Sequence, residues 1–230
     1  MPAPTIRVIS SMATRHLLAE GAALHARAGS AEVVLEAVGG VDAAKRVQAG
    51  EAFDAVVLAS GAIDELLRGG HAVAGSRTDL VSSGVSVAVR AGAPRPDIGS
   101  EEALKAALLA APTIGYSTGP SGTHLLRTFE RWGVAETLRA RTVQAPPGVP
   151  VGTMVADGRV AIGFQQLSEL MGLPGIDVVG PLPPGVQILT VFSGALCATA
   201  AQPAAARAWL DFMPSPAMAE AKRRHGMEPA

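Results

Sequence analysis

The chain has 230 residues, 48% of them hydrophobic, so it can bury a full core as one large α/β domain or as two smaller lobes. Its 19 basic and 20 acidic residues leave a net charge of −1, which gives no electrostatic basis for binding nucleic acid or an anionic membrane. Aromatic residues make up only 3%, which disfavours stacking platforms for bases or sugars. These exclusions favour a small molecule as the partner.

The single cysteine, Cys197, lies in an apolar run that is typical of a buried structural thiol. No Cys and His residues have zinc spacing and no nucleotide motif is present, so we expect neither a metal nor a cofactor. The N-terminus enters a strand without the basic and apolar regions of a secretory signal, and no apolar run is long enough to span a membrane. As written, the sequence predicts a cytoplasmic chain without membrane insertion, and a periplasmic chain if a leader has been removed.

The first part of the chain alternates strand and helix. Strands are predicted at 6–9, 32–37 and 53–59, where short apolar segments are rich in β-branched residues. Helices are predicted at 12–28, 41–49 and 63–68. This βαβαβ order predicts a parallel sheet with helices on both faces.

The second part repeats the alternation after a strand at 80–90 and a Gly-Ala-Pro-Arg-Pro loop at 92–96. Helices are predicted at 101–110, 123–132, 135–138 and 151–156, and strands at 113–116, 142–143, 160–164 and 177–179. A strand at 186–198 returns the chain to the first part, where helices are predicted at 203–212 and 216–225. The predicted fold class is therefore α/β with two lobes, residues 1–86 with 190–230 and residues 87–189, each a mainly parallel sheet flanked by helices.

The stretch 115–124 has the features of an anion site. A short strand runs into a small polar turn and then into a helix starting near Ser121, and the first N–H groups of a helix have no partners within it. The candidate ligand-binding residues of this turn are Ser117, Thr118, Gly119, Ser121, Gly122 and Thr123. The same residues also fit an ordinary helix cap after a Gly-Pro turn.

Ligands of open α/β sheets bind outside the carboxyl ends of the strands, so two lobes predict a cleft lined by strand-end loops. The candidate residues in the other loops are Ser10, Ser11, Gly39, Gly40, Gln165 and Gln166. A neutral hydrogen bond contributes only ~1 kcal/mol net, so several donors must converge on the anion. Arg77 is a further candidate, for bidentate recognition of a carboxylate, and is equally compatible with a surface pair to Asp79.

Four segments, in order along the chain, resemble the periplasmic molybdate-binding-protein family, the two-lobed solute receptors of ABC transporters. The segments are 9–12, 49–56, 115–121 and 157–163. The resemblance covers nearly the whole chain and implies a type II periplasmic-binding-protein fold with the ligand in a cleft between the lobes. It also implies an ABC permease as a partner if the protein is exported, and it leaves the oligomeric state open.

Two places depart from the molybdate binders. The second loop, which in that family normally offers a serine or threonine to the oxyanion, reads Gly-Gly-Val-Asp at 39–42, and Gln165 and Gln166 stand where the family has a tyrosine. Residues 119–122 and 164–169 resemble a side branch that includes carboxylate binders and the bacterial aconitate isomerases. The resemblance therefore implies a di- or tricarboxylate ligand rather than molybdate.

Two functions stay open, a binding protein for a small anion and a cofactor-independent, aconitate-isomerase-like enzyme that moves an allylic proton. Such an isomerase needs a base that titrates near neutral pH. His124, which follows the anion-binding turn, is the candidate base, and Glu169 is a weaker one. A lone histidine in an apolar helix is more often structural, so the sequence alone does not decide between the two functions.

Overall fold

A computed structural model describes residues 3–146 and 148–230. The chain divides into two compact units, which are described separately below. Unit 1 comprises Met1–Ser82 and Val191–Ala230, and unit 2 comprises Ser83–Thr190. The sequence analysis placed these boundaries a few residues away, at 86/87 and 189/190.

Elements are numbered along the chain. The strands are β1 (Thr5–Ser11), β2 (Glu32–Val38), β3 (Ala55–Ala59), β4 (Thr78–Arg90), β5 (Ile114–Tyr116), β6 (Thr142–Gln144), β7 (Ile162–Gln166), β8 (Ile176–Pro181), β9 (Leu189–Leu196) and β10 (Glu228–Pro229). The α-helices are α1 (Arg15–Arg27), α2 (Gly40–Gln48), α3 (Ser60–Arg68), α4 (Glu101–Ala110), α5 (Pro120–Arg131), α6 (Ala135–Arg139), α7 (Val151–Ala156), α8 (Leu167–Leu170), α9 (Pro203–Phe212) and α10 (Ala219–Arg224). Single 3-10 turns lie at Met12–Thr14, Pro184–Val186 and Pro216–Met218.

The sheet of unit 1 contains β2, β1 and β3 as parallel neighbours, and β9 runs antiparallel to β3. β10 pairs with the first part of β4. The parallel set arises because each intervening helix returns the chain to the same end of the sheet. All three parallel strands therefore deliver their carboxyl ends to one edge of unit 1.

Apolar side chains cover both faces of this sheet. One cluster contains Ile6, Val8 and Leu17 with Trp209, each at most 1% exposed. The other cluster contains Ile9, Val56, Leu58, Ile63 and Leu66. Burial on both faces explains why β1 and β3 read as continuous apolar runs in the sequence.

In unit 2, β7 lies between β5, which is parallel to it, and β4, which is antiparallel. β6 continues the parallel set beyond β5, and β8 pairs antiparallel with β4. Leu125 and Phe129 of α5 pack with Phe164 of β7 in one cluster, while Val151 and Val155 of α7 belong to a second cluster. The carboxyl ends of β5, β6 and β7 meet at one edge of unit 2.

Some helix starts differ from the sequence prediction, and two of them matter for the site. α3 begins at Ser60 rather than at residue 63, and α5 begins at Pro120 with Gly119 as its N-cap. Proline fits the first helical position because the N–H that it lacks would have no partner there. Ser121 consequently lies inside the first turn of α5, not before it. In the described part of the chain, no helix is long and apolar enough to cross a membrane.

Candidate functional site

The carboxyl edge of unit 1 brings two of the candidate loops together. Ser11 ends β1 and pairs with Val38, which ends β2. α2 then begins at Gly40, with Gly39 as an N-cap that has no side chain to accept a hydrogen bond. A Cβ atom built on Gly40 would lie 3.6 Å from Ser11 Cβ, so the Ser11 side chain lies against the first turn of α2.

The two adjacent serines of β1 differ in the hydrogen bonding of their hydroxyl groups. Ser10 is fully buried and its Oγ donates to the Ser11 main-chain oxygen at 3.2 Å, as does Thr14 Oγ1. Ser11 is 8% exposed, and its Oγ has no hydrogen-bond partner among the described residues. A buried polar atom without a partner costs about 1–3 kcal/mol, and folded proteins contain few of them. Ser10 therefore supports the turn, whereas the Ser11 hydroxyl keeps its hydrogen-bonding capacity unused.

A third loop at the same edge was missed by the sequence analysis. β3 ends at Ala59, and the nine-residue helix α3 begins at Ser60 with no side-chain cap. Because Ser10 pairs with Val57, Ser60 follows β3 at the edge where Ser11 ends β1. The first N–H groups of α2 and α3 thus both open at this edge, with the positive ends of the two helix dipoles. A serine directly after a buried apolar strand was the signal that could have found it.

Arg77 also belongs to unit 1, but its guanidinium is held by two internal carboxylates. Nη1 donates to Asp64 Oδ1 at 2.7 Å, and Nε donates to Asp79 Oδ1 at 2.9 Å. The hydrogen bonds from Arg77 and then from Ser193 hold the pKa of Asp79 below its ordinary value. Of the two interpretations that the sequence allowed, the contacts match the arginine paired with Asp79.

Unit 2 presents a comparable turn at the end of β5. Ser117 Oγ and Ser121 Oγ lie 3.0 Å apart, so the two hydroxyls hydrogen-bond to each other across the start of α5. A Cβ atom built on Gly122 would lie 2.0 Å from the Ser117 main-chain oxygen and 2.8 Å from Tyr116 Cδ2. Only glycine allows this close approach of the helix to the turn. The structure thus brings together Ser117, Ser121 and Gly122.

The remaining candidates around this turn are more open. Thr118, Thr123 and His124 are exposed, whereas Gly119 is partly buried. His124 is the fifth residue of α5, and its main-chain oxygen accepts a hydrogen bond from Thr128 Oγ1 at 3.0 Å. His124 therefore belongs to the second turn of the helix whose N-terminus forms the candidate site.

The two glutamines end β7, the strand next to β5, and both are buried. Gln165 Oε1 accepts from the Gly152 main-chain N–H at 3.3 Å, and Gln165 Nε2 donates to Glu169 Oε1 at 2.9 Å. Gln166 Nε2 donates to Thr190 Oγ1 at 2.8 Å. Each amide therefore has one internal hydrogen bond from its nitrogen, which fixes its orientation.

Two further atoms near the end of β7 lack partners among the residues that the structure describes. Gln166 Oε1 is one, and the other is the Oγ of Ser168, a residue that is 7% exposed and was not singled out from the sequence. Ser168 lies two residues beyond the end of the strand, in α8. As in unit 1, a strand end of the parallel set thus carries buried polar atoms with unused hydrogen-bonding capacity.

Cys197 does not take part in these edges as a nucleophile. It is 1% exposed, and burial, with the nearby charge of Asp54, raises the pKa of its thiol to about 12. A thiol with that pKa is protonated at neutral pH and unreactive. Within the described ranges, no three His, Cys, Asp or Glu side chains are grouped so that they could hold a metal ion.

The two α/β units each deliver parallel strands to polar helix N-termini, and the chain passes from one unit to the other and back, as in the two-lobed fold that the sequence predicted. The family model described as bacterial extracellular solute-binding protein matches residues 6–228. The chain belongs to this family.

The sequence is 40% identical over 185 residues to an aconitate isomerase from a Pseudomonas species, an alignment covering 80% of this chain and 70% of the relative. The periplasmic molybdate-binding protein of Azotobacter vinelandii has a similar structure, with a TM-score of 0.79, 19% identity and coverage of 96% of this chain and 98% of that chain. The sulfate-binding protein SubI of Mycobacterium tuberculosis H37Rv has a TM-score of 0.78 at 16% identity, covering 99% and 87%. The resemblance and the two-lobed α/β fold class predicted from the sequence are confirmed.

Proposed function

We propose that this protein binds a small carboxylate anion, a di- or tricarboxylate, at the strand-end turns described above. The observation that carries the proposal is the buried Ser11 hydroxyl, which has no partner among the described residues and lies against the first turn of α2. A ligand oxygen would satisfy this hydroxyl. The neighbouring N–H groups at the start of α2 and α3 are donors suited to an oxyanion.

The donors at these edges are neutral, so each contributes only a small part of the binding free energy. Each helix N-terminus stabilises a nearby negative charge by about 0.3–1 kcal/mol, and each neutral hydrogen bond adds ~1 kcal/mol net. Several must act together to reach useful affinity. A polycarboxylate presents several oxyanions to such donors, whereas a single tetrahedral oxyanion presents one compact centre.

The comparison with known proteins supports a carboxylate over a tetrahedral oxyanion such as molybdate or sulfate. The molybdate- and sulfate-binding structures are 19% and 16% identical to this chain, and at that level they inform on the fold. The relative that is 40% identical over most of the chain is named for aconitate, a tricarboxylate. The glycines at 39 and 40 agree with this ligand class, because they add no hydroxyl at the first turn of α2 for a tetrahedral oxyanion.

The 40% identity to an aconitate isomerase also favours a second candidate function, turnover of the ligand. In such a reaction a base takes a proton from the CH2 group, the electron pair moves through the allylic system, and the proton returns to the carbon at the other end. Carboxylates bound to N–H groups acidify that CH2 group. The imidazole of His124 is the proposed base, which accepts the proton and gives it back, so no cofactor is consumed.

Binding is tested by calorimetry with tricarballylate, a saturated tricarboxylate that cannot undergo the allylic shift, and with molybdate and sulfate in parallel. We expect tricarballylate to bind to the wild-type protein and the Ser11→Ala variant to bind it more weakly. Tight molybdate or sulfate binding with no heat from tricarballylate would overturn the proposal.

Turnover is tested by a proton NMR time course of trans-aconitate with the purified protein in D2O. An isomerase produces cis-aconitate or exchanges the methylene protons for deuterium. The His124→Gln variant should lose this activity and keep tricarballylate binding. Turnover that persists in the variant would show that His124 is not the base. An unchanged wild-type spectrum would show no turnover of trans-aconitate, and binding would then be the one remaining function of the two.

A further inference from the structure

Gly40 is a glycine that the fold does not require. A Cβ atom there would meet Ser11 Cβ at 3.6 Å and Leu58 Cδ2 at 4.0 Å, which are ordinary van der Waals distances. Gly40 is not among the residues with positive φ, so its backbone conformation is open to any L-amino acid. A side chain at this position is therefore both sterically and conformationally allowed.

Glycine at a helical position nevertheless has a cost. It loses more backbone entropy on folding than other residues and is a poorer helix former than alanine. At Gly122 the close approach to the Ser117 oxygen explains why glycine is needed. No comparable contact explains Gly40, and its missing side chain leaves space beside Ser11 and Leu58.

That space adjoins a hydroxyl with unused hydrogen-bonding capacity. Ser11 Oγ is buried, its side chain lies against Gly40, and in the part of the chain that the structure describes nothing hydrogen-bonds to it. The N–H groups of the first turn of the nine-residue helix α2 open at the same place. A hydroxyl without a partner, the first N–H groups of a helix and a missing Cβ atom together suit a carboxylate attached to a carbon chain.

We propose that Gly40 is a specificity-determining residue, because its missing side chain leaves room for a carboxylate arm against Ser11 Oγ. A hydroxymethyl group at position 40 would occupy the room for this arm and supply a further hydroxyl, which favours a compact tetrahedral oxyanion. This inference rests on the proposed function and deepens it by naming the residue that selects polycarboxylates over tetrahedral oxyanions.

The test compares Gly40→Ala and Gly40→Ser with the wild-type protein by calorimetry, using tricarballylate and molybdate as the probes. Both variants should bind tricarballylate at least about tenfold more weakly, a change of ~1.4 kcal/mol. Gly40→Ser should also raise the affinity for molybdate relative to tricarballylate. Unchanged affinities in both variants would overturn the inference.

The matched control is Ala204→Ser. It adds a hydroxyl at the second residue of α9, in the first turn of a different helix of unit 1. Ala204 is exposed in α9, and the residue before that helix, Gln202, donates its N–H to Asp54 Oδ1, just before β3 begins. The substitution thus lies at the end of β3 opposite to the Ser11 edge. Its tricarballylate affinity should stay within about twofold of the wild-type value.

Two further outcomes separate the possible failures. If the wild-type protein binds no tricarballylate, the proposed function itself fails, whatever the variants do. If it does bind, but Gly40→Ala lowers the unfolding midpoint in urea, then the fold requires glycine at position 40 and the inference is overturned while the proposed function stands.

Discussion

The first turns of α2 and α5 share a design and differ in how tightly they are packed. Each follows a parallel strand, and each places a glycine beside a serine. A Cβ atom on Gly40 would find ordinary contacts, whereas one on Gly122 would lie 2.0 Å from a main-chain oxygen. Ser11 has no hydrogen-bond partner among the described residues, whereas Ser117 and Ser121 bond to each other. The turn of unit 2 is therefore closed by contacts among its own residues. The turn of unit 1 leaves space beside Gly40 and leaves the Ser11 hydroxyl without a partner.

The largest effect expected from this difference is on stability. Gly122→Ala forces α5 away from the Ser117 turn, and overpacking of this kind costs about 1–3 kcal/mol. Gly40→Ala should change the free energy of unfolding by no more than ~0.5 kcal/mol, because its new methyl group meets no close contact. Urea unfolding followed by far-UV circular dichroism measures both variants. Equal unfolding midpoints for the two would contradict the distinction between a closed and an open turn.

Smaller changes in the free energy of unfolding are expected from alanine substitutions of Ser121 and Ser11. The two variants should also show that stability and ligand affinity depend on different serines. Ser121→Ala leaves the Ser117 hydroxyl without its partner and should lower the free energy of unfolding by ~1 kcal/mol. Ser11→Ala removes a hydroxyl that has no partner in the described structure, so stability should stay level or rise slightly. The affinity for tricarballylate should nevertheless fall about tenfold in Ser11→Ala.

Ser10→Ala is the control for the Ser11 variant, since Ser10 Oγ already donates to the Ser11 main-chain oxygen. We expect it to lower stability more than Ser11→Ala does and to weaken binding less. The reverse order, with Ser11 mattering for unfolding and Ser10 for affinity, would exchange the roles that the hydrogen bonds assign to the two serines.

Periodicity and strand–helix order sufficed to predict the fold class, because the pattern of apolar residues is local. The helix at 151–156 was predicted with the bounds that α7 has, and β1, β3 and β7 were found within a few residues. The carboxyl ends of neighbouring strands then lie at one edge, because strands joined by helical crossovers run parallel. This is why the loops at Ser11, Gly40 and Ser117 could be predicted to lie at strand ends before any coordinates were known.

What the sequence could not supply depends on contacts between distant segments. α3 begins at Ser60 because Ile63 and Leu66 bury themselves against the sheet, which extends the helix back through weakly helical residues. The second partner of Arg77, Asp64, lies 13 positions earlier, and Gln165 is fixed by the main chain of Gly152, also 13 positions away. No local sequence pattern predicts such pairs. Only the structure therefore shows which candidate side chains are already held by internal hydrogen bonds.

The smallest expected effect concerns Arg77 and tests whether unit 1 needs a cation for its ligand. The pKa of Asp79 is held down by the hydrogen bond from Arg77, so this carboxylate contributes stability above the ordinary aspartate pKa and loses it as the pH falls through the lowered value. Arg77→Gln should therefore lower the free energy of unfolding at neutral pH, and the difference from wild type should vanish towards acid. Because the ion pairs are partly exposed and screened, we expect no more than ~1 kcal/mol, measured by urea unfolding at several pH values.

The same variant separates the two interpretations of Arg77. With its guanidinium committed to Asp64 and Asp79, the affinity for tricarballylate should change by no more than about twofold. Arg159→Gln, at an exposed pair with Asp157 in unit 2, is the matched control for removing a surface arginine. A tenfold or larger loss of affinity in Arg77→Gln, absent from the control, would mean that the arginine leaves its internal partners for the ligand. The anion would then be held by a charge as well as by the neutral donors of the helix N-termini.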